Sequence, residues 1–372
     1  MTNRAEAVVN LSAIKSNVAT LKAKAGVDLM AVVKADAYGH GLVPVAKAAL
    51  DGGANWLGVA LSEEAIALRA AGITAPILAW LVPPGSDFQS AVDNDIDLAV
   101  SSIKALDEIR ALKGSKRPRI HLEVDTGMTR GGFLSEWGKL DAHHVTNLDI
   151  VGIFSHFARA DEPGQEQNNS QRARFQEMVA TLESIGFTDV ARHLSNSAAT
   201  LKDNDSRFDM VRAGIAIYGL TPDVNTLGTS VSLGLRAAMT LRAKLHLVKD
   251  VPAHSPVGYG ATAITERDTK LGIVAMGYAD GIPRTAQGAG IFVHGKRAPI
   301  IGRVSMDQFV VDLGTDSKAI SGEWVEVFGD GIAGGYTAED WGSASGSINY
   351  EIVTRIGPRV PRIYRSSSPT TE

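Results

Sequence analysis

The chain has 372 residues, 44% of them hydrophobic and 21% charged, and carries a net charge of -4. That is ordinary globular protein sized for about two domains, with no basic surplus to offer a nucleic acid or an anionic membrane. Cysteine is absent, which excludes disulfides and thiolate zinc sites.

The opening Met1-Thr2-Asn3-Arg4-Ala5-Glu6 lacks the apolar core of a signal peptide, and no later run approaches the ~20 residues that span a bilayer. A soluble, cytoplasmic chain is expected. Leu11, Ile14, Val18 and Leu21 fall on one face of a helix that Ser12 is placed to cap. Next comes Leu29-Met30-Ala31-Val32-Val33, an apolar run that stops at Lys34 and turns through Gly39 and Gly41. Such a run suits a strand buried on both faces of a parallel sheet. Lysines ordinarily avoid desolvated strand ends, because the ammonium with its pKa near ~10.4 loses hydration there. Schiff-base chemistry uses such a place, since only the neutral amine attacks a carbonyl.

A helix through Val45–Leu50 follows, then a strand at Trp56–Ala60 and a helix opened by Ser62-Glu63-Glu64. Further strands are expected at Pro76–Leu81, Ile96–Val100, Arg119–Val124, Ile150–Ser155, Arg192–Leu194 and Asp209–Val211. Helical segments such as Ile103–Leu112 and Arg172–Ile185 lie between them. About eight strands in such alternation are what a (β/α)8 TIM barrel requires, with its active site at the C-terminal strand ends. A doubly wound open sheet uses the same alternation. After the polar, turn-rich stretch Thr221–Ser230, Met239–Val248 alternates with period two, and β signals continue at Ile273–Met276, Ile291–His294, Phe309–Leu313 and Trp324–Phe328. The reading is a barrel domain over 1–228 and a mostly β domain over 229–372, closing in a polar tail, Ser366–Glu372.

Gly290–Lys296 has phosphate-loop glycine spacing, but Arg297 stands where a Ser or Thr must hold magnesium, so it reads as a hairpin turn. His143 and His144 are adjacent with no further ligands nearby, and no metal site is expected. The informative polar residues stand at or just past strand ends: Lys34, Arg130, His156, Asn196, Ser197 and Arg212. Singly, each has an ordinary structural use in a salt bridge or a core hydrogen bond. In one barrel mouth they supply a Schiff-base lysine, two guanidinium groups, an imidazole, and a hydroxyl beside a glycine backbone able to bind phosphate.

The stretches Ala31–Gly41, Val124-Asp125-Thr126-Gly127-Met128, His156-Phe157-Ala158, Met210–Gly219, Val257-Gly258-Tyr259-Gly260-Ala261, Gly277-Tyr278-Ala279-Asp280-Gly281, Gly302–Gln308 and Asn349-Tyr350-Glu351 together resemble alanine racemase, a fold-type III pyridoxal-phosphate enzyme. The resemblance runs from about Arg4 to Arg362. It implies interconversion of L- and D-alanine, supplying D-alanine for peptidoglycan, in a homodimer whose β domains complete each other's barrel mouths. It also places the first residues, near Ala5–Val9, with the C-terminal domain.

By the same resemblance Lys34 and Tyr259 are the two catalytic bases, Tyr259 coming from the partner subunit. Arg130, Met306 and Tyr278 bind the substrate carboxylate or narrow the entrance. Tyr38, Asn196, Ser197, Gly214, Ile215 and Tyr350 surround the cofactor and its phosphate, with His156 beside the phenolic base. Arg212 faces the pyridine nitrogen, and Glu123 and Asp307 are supporting residues. Many relatives carry at position 123 a lysine converted to a carbamate; Glu123 supplies the negative charge without carbon dioxide. Serine or another small amino acid is an alternative substrate. A barrel-fold decarboxylase, which uses a carboxylate at the pyridine nitrogen and a cysteine, fits less well, as does a noncatalytic cofactor-handling protein.

Overall fold

The computed structural model describes residues 3–366, so Met1, Thr2 and the polar tail beyond Ser366 lie outside the described residues. The chain forms two compact units, one of residues 14–37 and 42–235, the other of the residues up to Ala13, Tyr38–Gly41, and Arg236 onward.

Within the first unit eight parallel strands lie side by side. They are β2 (Asp28–Val32), β3 (Trp56–Val59), β4 (Ile77–Ala79), β5 (Asp97–Val100), β6 (Arg119–Glu123), β7 (Asp149–Phe154), β8 (Ala191–His193) and β9 (Met210–Ala213), while β1 (Ala5–Asn10) belongs to the other unit. β9 pairs back onto β2. The ring closes where Asp209 N donates to Arg192 O at 3.1 Å and Arg212 N to Ser195 O at 2.9 Å. That closure removes both sheet edges and rules out the open doubly wound sheet. Strands β4, β5 and β9 are buried at every position, because helices cover one face and the interior packing covers the other. The interior is filled by Met30, Leu78, Ala99, Phe154 and Met210, with Trp56 and Trp80 against them.

Three details differ from the expectations. The first helix (Leu11–Ala25) takes its cap from Asn10, whose Oδ1 accepts from Ala13 N at 3.1 Å, whereas Ser12 Oγ donates to Ser366 O. The helix expected at Arg172 begins at Glu166. The units divide between Leu235 and Arg236 rather than at 228/229. Leu227 and Leu235 are both buried, and the stretch after Thr221 belongs to the barrel unit as far as Leu235.

In the second unit β1 lies between β10 (Met239–Val251), antiparallel, and β18 (Arg362–Arg365), parallel. The first seven residues of β10 alternate buried and half-buried, as their period-two pattern dictates. A short β11 (Pro256–Val257) and β12 (Ala263–Ile264) flank the Tyr259 turn. β13 (Thr269–Val274), β14 (Gly290–Val293), β15 (Lys296–Pro299), β16 (Phe309–Asp312) and β17 (Trp324–Phe328) complete the sheet, and β14 and β15 form the hairpin expected around His294-Gly295.

Candidate active site

The polar residues of the barrel unit gather at the C-terminal ends of its strands. β2 ends at Val32, and the chain from Lys34 enters a left-handed turn in which Ala35, Asp36, Ala37 and Tyr38 have φ of 54, 52, 54 and 51°. Each such non-glycine residue costs roughly 1–2 kcal/mol, so the turn has to be held. Ala37 N donates to Val33 O at 2.9 Å, Ala35 N to Glu64 Oε1 at 2.6 Å, and Leu42 N to Asp36 Oδ1 at 2.8 Å. Lys34 itself sits at the strand end just before the turn, with Nζ 5.8 Å from the Trp80 ring centroid. Burial lowers the Lys34 pKa, as does Arg130, with Glu64 opposing.

Arg212, near the end of β9, is buried and tightly held. Nη1 donates to His193 O at 2.6 Å and to His193 Nδ1 at 3.1 Å. Nη2 donates to Ser155 O at 2.6 Å, with His156 Nδ1 and Leu194 O each at 3.3 Å. Among the described residues Nε alone of its nitrogens has no hydrogen-bond partner. Burial brings the Arg212 pKa down to about 10, Glu123 pulling it up and Arg130 down, so the guanidinium stays charged at neutral pH. His156 is neutral, its pKa brought to about 3 by burial and by Arg212, Arg130 and Lys34. Because arginine only donates, Nδ1 of His156 is the acceptor and Nε2 carries the proton.

Ser197 Oγ accepts from Gly214 N at 2.9 Å and from Ala216 N at 3.3 Å, and its hydroxyl proton remains for an anion. Gly214 and Ile215 open a short 3-10 turn (Ile215–Tyr218). Asn196 spends its carbonyl on capping the next helix, accepting from Ala199 N at 3.1 Å. Glu123 accepts from Ser101 Oγ at 2.7 Å, and no ion pair joins it to Arg130 among the described residues. Arg130 is exposed on the loop after β6.

The remaining expected residues belong to the β unit. The rings of Tyr38 and Tyr350 lie 6.2 Å apart, and burial pushes the Tyr38 phenol pKa up. Tyr259, Tyr278 and Met306 are exposed. Tyr278 N donates to Ser305 O at 3.0 Å and Ala279 N to Met306 O at 2.9 Å, so the Tyr278 and Met306 turns interlock. Asp307 accepts from Arg359 Nη2 at 2.6 Å. Trp80, Glu64, His121 and His193 were not singled out by sequence reasoning. For the histidines the available signal was a polar residue inside an apolar strand.

Two family models match in sequence, the alanine racemase N-terminal domain over residues 9–222 and the alanine racemase C-terminal domain over 238–364. The alanine racemase of Salinispora arenicola is 49% identical, over 98% of this chain and 100% of the relative. The chain belongs to the alanine racemase family. The crystal structure of alanine racemase from a D-cycloserine-producing Streptomyces lavendulae superposes with a TM-score of 0.96 at 47% identity, over 99% of this chain and 98% of that one. The alanine racemase of Bartonella henselae, a structure with covalently bound pyridoxal phosphate, matches at a TM-score of 0.88 and 30% identity, over 98% and 100%. Agreement along the whole length, through both domains, supports alanine racemase activity for this family member. No helix among the described residues is long and apolar enough to cross a membrane.

Proposed function

We propose that the chain racemises alanine by a two-base route, with pyridoxal phosphate at the barrel mouth and a homodimer completing each site. The donor set suits that cofactor. Lys34 is an amine of lowered pKa, Ser197 keeps a hydroxyl proton beside backbone amides for a phosphate, and Arg212 keeps Nε–H for a ring nitrogen. The observation that carries the reading is geometric: Lys34, Ser197 and Arg212 stand together at the C-terminal strand ends of one closed barrel. Bound there, pyridoxal phosphate supplies an electron-withdrawing ring that acidifies the Cα–H of an attached amino acid.

Racemisation needs a proton carrier on each face of a planar carbon, because a single base tends to return the proton to the side it left. Lys34 serves one face, taking the proton from D-alanine. Tyr259 of the partner subunit serves the other, taking it from L-alanine; its exposure in the single chain leaves it free to do so. His156 offers Nε2–H to the phenolic oxygen. Arg212 gives the ring nitrogen a donor that does not surrender its proton, which limits charge withdrawal and so favours racemisation over transamination. Arg130 holds the substrate carboxylate, and Tyr278 and Met306 of the partner subunit narrow the entrance. Tyr38, Asn196, Gly214, Ile215 and Tyr350 complete the cofactor's surroundings, with Glu123 and Asp307 in support. The product, D-alanine, serves peptidoglycan synthesis in the cytoplasm.

The test is incubation of the loaded protein with L-alanine, L-serine and L-lysine in deuterium oxide, followed by chiral analysis. Alanine is expected to racemise with Cα deuteration. Tyr259→Phe should lose racemisation in both directions yet keep deuterium exchange into D-alanine; unimpaired racemisation in that variant overturns the two-base assignment.

A further inference from the structure

A line of polar side chains runs through the barrel from the active-site end to the floor. From Arg212 Nη1 the first step is His193 Nδ1 at 3.1 Å, and the second joins His193 Nε2 to His121 Nδ1 at 2.9 Å. The third brings His121 Nε2 to Asp97 Oδ2 at 3.4 Å, an ion-pair contact that is long for a hydrogen bond. Asp97 is then gripped by Arg119, Nε to Oδ1 at 2.9 Å and Nη2 to Oδ2 at 3.1 Å. His121, His193 and Asp97 are buried, and Asp97 and Arg119 each begin a strand, at the barrel end opposite Lys34.

The fold makes specific room for this line. The register of β6 on β7 shifts between Ile120 and His121, setting His121 opposite Gly152. A Cβ on Gly152 would stand 2.1 Å from His121 Nδ1. His193 stacks on Phe154 with ring centroids 5.0 Å apart and planes 10° from parallel, and the Arg212 guanidinium lies 5.2 Å from the same ring. A polar line buried among aromatic rings is costly unless every member is satisfied.

One arrangement of protons orients every member, leaving only His121 Nε2 short of a full hydrogen bond, at 3.4 Å from the Asp97 carboxylate. Arg212 has only donors, so His193 Nδ1 accepts. Neutral His193 then carries its proton on Nε2 and gives it to His121 Nδ1. His121 in turn carries its proton on Nε2, which faces the Asp97 carboxylate, an acceptor only. Burial and the Arg212 charge keep the His193 pKa well below its ordinary value, which suits the neutral form. Every donor in the line points away from the active site.

We propose that Asp97, oriented by Arg119, is a positioning residue for Arg212, fixing the tautomers of His121 and His193 so that an acceptor always faces the guanidinium. The role rests on Arg212 meeting the cofactor ring. Asn at position 97 presents Oδ1 to one neighbour and an NH2 to the other. Turned toward His121, that NH2 demands the opposite tautomer, and the mismatch passes along to two donors facing each other at Arg212.

The test is 15N NMR of the full-length protein labelled at histidine, with and without pyridoxal phosphate, resonances being assigned through His121→Phe and His193→Phe. Both histidines are expected to be neutral with the proton on Nε2; a proton on His193 Nδ1, or an imidazolium there, overturns the proposal without any variant. Asp97→Asn should give mixed tautomers at both positions and lower kcat about tenfold, with the alanine KM and cofactor affinity within about twofold. Unchanged histidine spectra in that variant also overturn it. Alanine racemisation by the parent protein, measured alongside, tests the cofactor reading separately.

Discussion

Arg4 grips the Asp280 carboxylate with both terminal nitrogens, Nη2 to Oδ1 at 2.6 Å and Nη1 to Oδ2 at 3.0 Å. Asp280 is fully buried, and it also accepts from Gly277 N at 3.0 Å and meets Arg359 Nε at 3.3 Å. A residue near the start of the chain thus anchors the turn that presents Tyr278. Removing one partner of a buried pair typically costs about 3–5 kcal/mol, and Arg359 remains to share the charge. Arg4→Ala is therefore expected to lower unfolding stability by about 2–3 kcal/mol and to raise the alanine KM more than it lowers kcat. Chemical denaturation and steady-state kinetics check the two halves. An unchanged KM would separate the anchor from the entrance.

How much of this was legible in the sequence depends on the range of the physics. β2, β5 and β6 were readable within a residue or two because continuous apolar runs flanked by turn formers are local signals. Lys34 and Arg212 stood out as charges against such runs. The left-handed turn at Ala35–Tyr38 was not readable, since its hydrogen bonds come from Glu64 and from the Asp36 side chain reaching Leu42. The pairing of Asp97 with Arg119 and of His121 with His193 was equally hidden, because strand register decides which side chains meet across a barrel.

The lowered pKa of Lys34 has a measurable consequence. A neutral amine attacks the aldehyde, so cofactor uptake by the stripped protein should rise with pH and level off below the 10.5 of an ordinary lysine. Burial is the largest cause and Arg130 the next. In Arg130→Met the inflection should move up toward the ordinary value, followed as absorbance of the bound cofactor against pH. An inflection that stays put would remove Arg130 from the electrostatics of the amine.

His156 and His193 make the fold sensitive to acid. Both have folded-state pKa values below 6.5, that of His156 about 3 and that of His193 well below its ordinary value. The unfolded chain therefore binds protons that the folded chain refuses. Stability should hold above about pH 6.5 and fall below it, each histidine adding a slope that approaches about 1.4 kcal/mol per pH unit. Urea unfolding at a series of pH values between 7 and ~4 measures the slope. His156→Asn should remove one histidine's share of it.

Glu123 stands where the family resemblance leads one to expect a modifiable lysine, and its carboxylate already accepts from Ser101 and raises the Arg212 pKa by its charge. Racemase activity is expected to be indifferent to bicarbonate and to degassing. Glu123→Lys sets a third cation beside Arg130 and Arg212 and should lower kcat by ten-fold or more. Added bicarbonate should restore part of that loss by converting the amine to an anionic carbamate, detectable as a mass increment. Bicarbonate dependence in the parent protein would contradict the assignment.

Gly152 offers a sharp stability test of the barrel interior, because the absence of a side chain there leaves room for the His121 ring. A methyl added there meets Nδ1 at 2.1 Å, Cε1 at 2.5 Å and Cγ at 2.8 Å, all inside any tolerated contact. The ring cannot retreat freely, since Trp56 stands edge-on to it at 5.4 Å and His193 at 5.1 Å. Either the ring rotates away and the His121–His193 hydrogen bond breaks, or β6 and β7 separate. Gly152→Ala should cost about 1–3 kcal/mol, the usual range for overpacking, read by denaturant unfolding. Gly138→Ala, where nothing lies within 4 Å of the added methyl, should stay within about 0.5 kcal/mol of the parent. Equal effects from the two would mean that the packing around His121 is looser than its contacts imply, and the register shift that sets His121 opposite Gly152 would then have no packing reason to exist.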